Sequence, residues 1–571
     1  MKKTFFASIA IIFSITIVCQ AEFQVNTYTK HNQECPAVAM SPQGDFVVVW
    51  LSNPLDGRGG GIYGQRFNAE GNKVGSEFKI NTSKQFPIVD WWPSVAMNSF
   101  GGFVVVWAKD RNLGGWLDAD VVARVYNSEG IPLTGEILVN TNTFDAQWIT
   151  SVAINSSGSF VVVWQNWDAI PIIPHYDING RLFDAAGTPQ GDEFIIAELP
   201  DGSPAHNPDV VMDEIGNFVV TWYRDSGSDI FPPRGQYIQL RRYNADGSPK
   251  GDIVQITDDI KVAAPTYAGP SIAMDCGGNF AIAWAVQFGS YDYDVYAQRF
   301  DTNAVPIGDP FLVNTHTDET QGHPSISMNG QGQFIIVWQS KYQDGSNYGV
   351  FGQKYSKSGV PIGDEFQLNT YTSGKQWYPD IAMSQNGKFV TVWESEGGQD
   401  GSGYGIFGEF GQFPQPKWKD LTDYSYELVW QKRLSRTEFE YCFRMRARNL
   451  GTEPIENITV DLASAPSNIT VLNSKVFFGL IPVSGEVLSD DTFVVKIDHS
   501  SPADENDIIW EISNEMEGDF SGDNQINFVD FAYLADKWLQ TGAGMPEDLY
   551  KNEIIDFEDL AMFAENWLEG R

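Results

Sequence analysis

Short apolar runs alternate with turn-forming segments throughout residues 22–413. Four such runs, rich in Val, Ile, Phe and Tyr, form a unit that occurs seven times. Residues 365–410 are the clearest copy, with the order EF-x-hydrophobic-NT, P-x-hydrophobic-AM, G-x-FVVVW and GIFGQ-x-F. Short apolar runs bounded by Gly, Asn, Asp or Pro are typical of β-strands. We therefore predict four strands in each unit.

Every unit carries one tryptophan at the same place, and these residues are Trp50, Trp107, Trp164, Trp222, Trp284, Trp338 and Trp393. The steps between them are 57, 57, 58, 62, 54 and 55 residues, and such a fixed period indicates a repeat architecture. The run that ends in this tryptophan, such as residues 46–50, is apolar at every position, so both faces of that strand should be covered. Blades stacked around an axis cover each other in this way. The pattern predicts a seven-bladed β-propeller over residues 22–413.

The two ends of the repeat array complement each other. Residues 22–26 have the sequence of a fourth strand, whereas the seventh copy stops at Phe410 without one. We expect the first strand of the chain to complete the last blade, which also removes an exposed strand edge.

The connections differ between the two faces of the predicted propeller. Turns between the first and second strands and between the third and fourth are short and uniform, whereas the other loops are longer and irregular. Variable loops on a rigid scaffold are common places for binding or catalysis. Aromatic rings can stack on sugars while polar groups bind hydroxyls. The predicted carbohydrate-binding residues are Trp91, Trp92, Trp148, Trp377 and Tyr378.

Two other patterns on these loops have competing interpretations. Glutamines recur before the first strand of a unit, and they fit either sugar binding or a structural role in the repeat: Gln33, Gln147, Gln321 and Gln376. The loop tryptophans have a similar alternative, in which they pack loops onto blade edges. The D-G-S-x-x-G loops at Asp344 and Asp400 resemble calcium loops. We favour tight turns, in which Asp accepts from its own backbone and Gly supplies a positive φ.

The first 21 residues have the pattern of a secretory signal peptide: Lys2 and Lys3, an apolar stretch, and Ala21 before the expected cleavage point. We therefore predict a secreted protein, extracellular or attached to the cell surface. Removal of two lysines takes the net charge from −37 to −39. Such acidity argues against nucleic acid or an anionic membrane as partner. No other stretch is apolar enough to predict a membrane span, and the three remaining cysteines imply no disulfide framework.

Residues 413–417 are predicted to form a linker, and the repeat does not continue beyond it. Six strand-like runs follow, at 426–430, 439–445, 458–460, 476–478, 492–497 and 508–512. About a hundred residues of short strands predict an immunoglobulin-like β-sandwich over 414–516. We assign it the role of a spacer.

The C-terminal segment contains a 12-residue loop, residues 519–530, with oxygen-bearing side chains at the spacing of a calcium site. An apolar helix-like run follows, and the unit then repeats with a loop at 548–559. The predicted ligands of the two loops are Asp519, Ser521, Asp523, Gln525, Asn527, Asp530, Asp548, Asn552, Asp556 and Asp559. Tyr550 and Glu553 depart from the pattern, so calcium should bind the first loop more tightly.

Two calcium loops, each followed by a helix, make residues 517–571 resemble a type I dockerin, the small α-helical module that attaches secreted polysaccharide-degrading proteins to cohesin domains. The resemblance implies calcium as cofactor and a cohesin-like partner. Residues 528–529 and 557–558 lie at the positions that dockerins use for partner recognition, and they lack the usual hydroxyl pair. A calcium-stabilised tail without a partner is the alternative.

Three functions fit these predictions. In the first, the propeller binds a polysaccharide or glycoprotein and the dockerin-like module attaches the protein to an assembly. In the second, the propeller is a glycoside hydrolase or polysaccharide lyase, which for hydrolysis needs two suitably spaced carboxylates. Loop acids exist at Glu34, Asp90, Asp118, Asp120 and Asp168, but the sequence does not pair them. The third is a structural adhesion protein of the cell surface.

Overall fold

The computed structural model describes residues 22–513, apart from segments 53–60, 83–89, 112–117, 144–145, 169–174, 198–203, 226–235, 258–268, 290–291, 414–423, 436, 449–457, 465–468, 473–474, 479–485, 490–491 and 499–508. Every helix or strand element within this part of the chain is a β-strand. The predicted signal peptide, residues 414–417 of the predicted linker and the predicted dockerin-like module lie outside the described residues.

The chain opens with β1 (Phe23–Gln24) and continues into blades whose four strands are antiparallel and consecutive. Blade one contains β2 (Gln33–Met40), β3 (Phe46–Ser52), β4 (Gly61–Phe67) and β5 (Lys73–Lys79). Blade two contains β6 (Asp90–Met97), β7 (Phe103–Asp110), β8 (Ala119–Tyr126) and β9 (Ile137–Leu138). Blade three contains β10 (Ala146–Ile154), β11 (Phe160–Asp168), β12 (His175–Phe183) and β13 (Phe194–Ala197).

The later blades have the same order. Blade four contains β14 (Ala205–Met212), β15 (Phe218–Asp225), β16 (Gln236–Tyr243) and β17 (Val254–Gln255). Blade five contains β18 (Ser271–Met274), β19 (Phe280–Gly289), β20 (Asp292–Phe300) and β21 (Pro306–Leu312). Blade six contains β22 (Gln321–Met328), β23 (Phe334–Lys341), β24 (Tyr348–Tyr355) and β25 (Pro361–Gln367). Blade seven contains β26 (Gln376–Met383), β27 (Lys388–Ser395) and β28 (Gly405–Gln412).

The N-terminal strand completes blade seven, as predicted. In β1, Phe23 pairs with Gly408 and Gln24 with Phe407, and the Val25 amide donates to the Ile406 carbonyl at 2.9 Å. The Phe23 ring stacks on Phe410 with centroids 4.5 Å apart. Residues from the start of the chain therefore form the outer edge of the last blade.

Seven apolar clusters join each blade to the next and close the ring. Each contains an anchor tryptophan, and the cluster at the closure combines Val25 and Trp50 with Val390 and Val392 of blade seven. All seven tryptophans are at most 1% exposed. The first strands of neighbouring blades lie against each other around the axis, so the first strand of each blade is the innermost one. The described residues between 22 and 413 form a closed seven-bladed β-propeller.

Residues 424–513 form two further antiparallel sheets. One joins β29 (Tyr424–Arg433), β30 (Glu438–Arg448), β35 (Phe493–Asp498), β32 (Ile469–Val471) and β34 (Glu486–Leu488), and the other joins β33 (Lys475–Phe478), β31 (Ile458–Ser464) and β36 (Ile509–Ser513). The six predicted strands are present. The short strands β32 and β34 were not predicted, because three residues carry too little pattern.

Candidate functional site

The innermost strands carry a bulge at the end that adjoins the irregular loops. Six blades shift register there, between Glu34 and Ala37 in blade one for example. The bulged residue has a left-handed φ of 44–52° in all six, and these residues are Cys35, Trp92, Ile149, Asn207, His323 and Tyr378. Non-glycine residues rarely adopt this conformation, and clusters of them often mark functional sites. These side chains differ from blade to blade, whereas the apolar positions that follow are constant. The variable positions surround the channel mouth.

Side chains from the preceding blade hold three of the bulges. The amide of Asn207 donates to Gln165 Oε1, that of Tyr378 to Gln339 Oε1, and that of Cys35 to Glu394 Oε2, each at 3.1 Å. The three acceptors occupy the position after the anchor tryptophan. Blade seven therefore uses a carboxyl group where blades three and six use a neutral amide. This exchange of Gln for Glu was visible in the sequence, but its meaning depends on the contact across the blade boundary.

Glu394 is 3% exposed, and the Trp377 indole donates to its other oxygen, Oε1, at 2.9 Å. Burial, and after it the charge of Glu34, raises the pKa of Glu394 to about 8. Burial of the Cys35 thiol, and after it the charges of Glu394 and Glu34, raises the pKa of this thiol. At neutral pH the site therefore holds a largely protonated carboxyl beside a protonated thiol.

Four half-buried aromatic residues surround this place, and we name Tyr348, Trp377, Tyr378 and Tyr404 the blade-seven aromatic group. Trp377 lies at ring-centroid distances of 5.0 Å from Tyr378 and 6.3 Å from both Tyr348 and Tyr404. His323 meets Tyr378 edge-on at 4.8 Å, and burial lowers the pKa of His323 to about 4. The group thus presents rings beside a neutral imidazole.

Two more carboxylates adjoin the blade-seven aromatic group. Glu34 accepts from the Asn32 amide at 2.7 Å, and Glu396 accepts from the Tyr404 hydroxyl at 3.2 Å. The Lys375 ammonium lies 4.2 Å from the Trp377 ring centroid and 3.7 Å from Glu396. Both glutamates are partly exposed, so they can accept hydrogen bonds from a ligand.

The other predicted tryptophans form a second cluster, which we name the blade-two aromatic group: Trp91, Trp92 and Trp148. The rings of Trp91 and Trp92 lie 6.3 Å apart, and Trp148 meets Trp92 edge-on at 6.1 Å. All three are partly exposed at the start of the innermost strands β6 and β10. The five predicted aromatic residues therefore lie on one face, but in two groups.

The recurring glutamines have a structural role rather than a ligand-binding one. All four are at most 1% exposed; the side-chain amides of Gln33, Gln321 and Gln376 donate to the carbonyl three residues before them, while that of Gln147 donates to Asn166. The loop aspartates form the tight turns that we favoured: Asp344 accepts from the Ser346 amide at 2.9 Å and Asp400 from the Ser402 amide at 3.0 Å. The following glycines have φ of 84° and 92°.

Two carboxylates within the channel were not singled out from the sequence. They occupy the innermost-strand position that pairs with the residue before each anchor tryptophan, which holds Ala37, Ser94, Ser151, Asp209, Ser271, Ser325 and Asp380. Asp380 accepts from Ser325 Oγ and from the Val38 amide, both at 2.8 Å. Asp209 accepts from Ser151 Oγ at 2.7 Å and from the Ile272 amide at 3.0 Å. Each aspartate thus joins three consecutive blades.

Burial raises the pKa of both channel carboxyls, and that of Asp380 reaches about 6. Both side chains keep some exposure to the channel, although protein surrounds them. Repeat comparison could have found them, since Asp replaces Ser or Ala at this position only in blades four and seven.

The described loop acids lie in different blades. Asp118 and Asp120 both contact Arg111 of blade two, whereas Glu34 lies in blade one. The side chains of Asp90 and Asp168 are outside the described part of the structure, as are all ten predicted calcium ligands. Among the described residues, no group of three or more His, Cys, Asp or Glu side chains is arranged to hold a metal ion. The part of the chain that the structure describes contains no helix with the length and apolar character needed to span a membrane.

No protein-family model and no curated protein sequence matches the chain. Several solved structures are similar in fold. They include an α-L-arabinanase of Penicillium chrysogenum complexed with arabinobiose (11% identity, 69% of this chain and 98% of that one, TM-score 0.39). An ulvan lyase matches at 9% identity over 69% and 96% of the two chains, with TM-score 0.42. An α-L-arabinofuranosidase of Fusarium graminearum matches at 10% identity over 56% and 92%, with TM-score 0.38. At TM-scores below 0.5 these similarities do not bear on what this chain does.

Proposed function

We propose that the propeller binds a polysaccharide on the face with the irregular loops, at the channel mouth. The observation that carries the proposal is the blade-seven aromatic group beside Glu34 and Glu396. Partly exposed rings can stack on the apolar faces of sugars, and carboxylates accept hydrogen bonds from their hydroxyls. The left-handed bulges and the interblade hydrogen bonds that hold them would keep this surface rigid before binding.

The charge of this face favours an uncharged glycan. Four described basic side chains of this face are paired with carboxylates: Lys109 with Glu136 at 2.6 Å, Lys341 with Glu319 at 3.0 Å, Lys375 with Glu396 at 3.7 Å, and Arg111 with Asp118. Glu34 adds negative charge beside Trp377. A uronate- or sulfate-bearing chain would meet like charge, which costs affinity.

A glycan array with the calcium-loaded full-length protein tests the proposal. We expect uncharged polysaccharides to bind and Trp377→Ala to weaken binding by about 1–3 kcal/mol, as for other buried aromatic anchors. Phe100 is 52% exposed on the opposite face, so Phe100→Ala is the matched control and should bind like wild type. Absence of any glycan ligand, or loss with Phe100→Ala alone, would contradict the assignment.

A second function, cleavage of the bound glycan, is favoured by Glu394. Glycoside hydrolysis needs one protonated and one ionised carboxyl near the scissile bond, and Glu394 is largely protonated at pH 7 with Glu34 close enough to raise its pKa. Against this, both oxygens of Glu394 already accept hydrogen bonds from Cys35 and Trp377. Product analysis after incubation with the array ligands decides between the two functions. An enzyme would be established if the wild-type protein released new reducing ends, as a hydrolase does, or unsaturated ends, as a lyase does, and if Glu394→Gln and Glu34→Gln released neither.

We also propose the roles of the remaining parts of the chain. Residues 1–21 direct secretion, residues 414–516 form an immunoglobulin-like spacer, and residues 517–571 form a dockerin-like module that takes calcium and attaches the protein to a cohesin-like domain. The support is the sequence pattern of each segment and, for the spacer, its two antiparallel sheets. Pull-down with immobilised cohesin domains, with and without a calcium chelator, tests the attachment.

A further inference from the structure

The two aromatic groups lie on either side of blade one at the channel mouth, because β2 of blade one packs against both β6 and β26. The blade-two group belongs to blades two and three, and the blade-seven group belongs to blades six and seven. Blade one separates them in one direction around the ring, and blades four and five separate them in the other. Trp92 of β6 and Tyr378 of β26 are therefore two blade steps apart in the ring of seven.

Both groups are presented by the same structural device. Trp92 and Tyr378 are the bulged residues of β6 and β26, with φ of 44° and 51°, and their neighbours Trp91 and Trp377 precede them in the same strands. Equivalent positions in a propeller lie at the same height along the axis, because each blade is related to the next by rotation about that axis. Trp91, Trp92, Trp377 and Tyr378 therefore lie at one level around the mouth.

The residues between the two groups differ from them in kind. Blade one places Glu34 and Cys35 at these positions, and blade four places His206 and Asn207. Burial lowers the pKa of His206 to about 4, so this imidazole is neutral. The path from one aromatic group to the other along blade one thus runs from rings, past Glu34 and Cys35, to rings. Such a path suits a chain of sugars rather than a single one.

We propose that one polysaccharide chain runs along blade one at the channel mouth and contacts both aromatic groups at once, so that the protein selects internal stretches of long polymers over short oligosaccharides. This inference rests on the proposed glycan binding. Two contacts on one chain act as linked sites, so the second contact forms at a high effective concentration. An oligosaccharide too short to reach both groups gains from one of them only.

Isothermal titration calorimetry with full-length protein tests the inference, using xylan, mannan and arabinan oligosaccharides of about two to ten units and the parent polymers. We expect affinity to rise about a hundredfold at the length that reaches both groups, the order expected for linked sites. Short oligosaccharides should bind two per protein and spanning chains one per protein.

Variants separate a bridged chain from two independent sites. Trp92→Ala and Trp377→Ala should each reduce the affinity of spanning chains to that of short ones, and the double variant should remove binding. Phe100→Ala on the opposite face is the control, and equal thermal midpoints verify folding. A chain-length-independent affinity, two polymer chains per protein, or sensitivity to only one of the two variants would overturn the bridge while leaving glycan binding in place. If wild type bound no ligand of any length, the proposed function itself would fail.

Discussion

Glu394 of blade seven accepts a hydrogen bond from the backbone amide of Cys35 in blade one at 3.1 Å, across 359 residues of sequence. Gln165 and Gln339 make the same bond to the next blade with a neutral amide. The contact at the ring closure is therefore the one of these three that depends on pH. This difference links the candidate site to the stability of the ring.

The pH dependence of stability follows from the pKa of Glu394, which burial raises from 4.5 to about 8. Because the folded state holds this proton more tightly than the unfolded chain does, the stabilisation is complete below pH 4.5 and is lost as pH rises to 8. At about 1.4 kcal/mol per pKa unit the loss is on the order of a few kcal/mol. Thermal midpoints of wild type should fall over this range, and the Glu394→Gln curve should be flatter.

A matched control uses blade six, where Gln339 makes the equivalent bond to Tyr378. Gln339→Glu should steepen the fall in thermal midpoint between pH 4.5 and 8. Parallel curves for wild type, Glu394→Gln and Gln339→Glu would show that the buried carboxyl does not control stability.

Removal of residues 22–28 should lower the free energy of unfolding of the propeller strongly. Val25 is fully buried in the cluster between blades seven and one, and Glu22 accepts from the Thr370 amide at 2.8 Å. Their loss exposes apolar surface and an open strand edge. Differential scanning calorimetry should show a midpoint at least several degrees lower. Glu193→Gln is the control, because it weakens the equivalent hydrogen bond from the Thr141 amide, away from the ring closure, and its effect should be much smaller. A deletion variant with the wild-type midpoint would disprove closure through β1.

Asp380→Ala should destabilise the ring more than Asp380→Asn does. The carboxylate accepts from Ser325 Oγ and the Val38 amide, and each buried donor left unpaired costs about 1–3 kcal/mol. Asparagine keeps one carbonyl oxygen and should retain part of this stability. Urea unfolding at pH 7 measures both variants, with Ser94→Ala at the equivalent position of blade two as control. Equal midpoints for Asp380→Ala and Ser94→Ala would contradict the linking role.

Calcium should bind the C-terminal segment with unequal affinity at its two loops. Asp519→Ala combined with Asp530→Ala removes two of the predicted ligands of the first loop and should abolish the tight binding step, because a hard cation needs most of its oxygen ligands together. Asp548→Ala with Asp559→Ala should matter less, since Tyr550 and Glu553 already depart from the pattern. Calorimetric calcium titration of the full-length protein distinguishes these cases. Two equal tight sites in wild type would refute the asymmetry.

The blade count, the strand order and the closing strand were predictable from the chain alone. Each of these features depends on local patterns: an apolar run is covered on both faces wherever it occurs, and an extra strand at one end matches a missing strand at the other. The aromatic residues of the loop-rich face could be named for the same reason, because the repeat shows which connections vary.

The grouping of those aromatic residues, and the residues that accompany them, depended on the ring. Residues 35 and 394 meet only because blade seven closes onto blade one, and Asp380 joins three blades only because their innermost strands converge on one axis. No local pattern reports such contacts, since they join residues 55 to 359 positions apart through a geometry that exists only when all seven blades are in place. The burial that raises the pKa of Glu394 arises in the same way, because the neighbouring blade excludes water from its carboxyl.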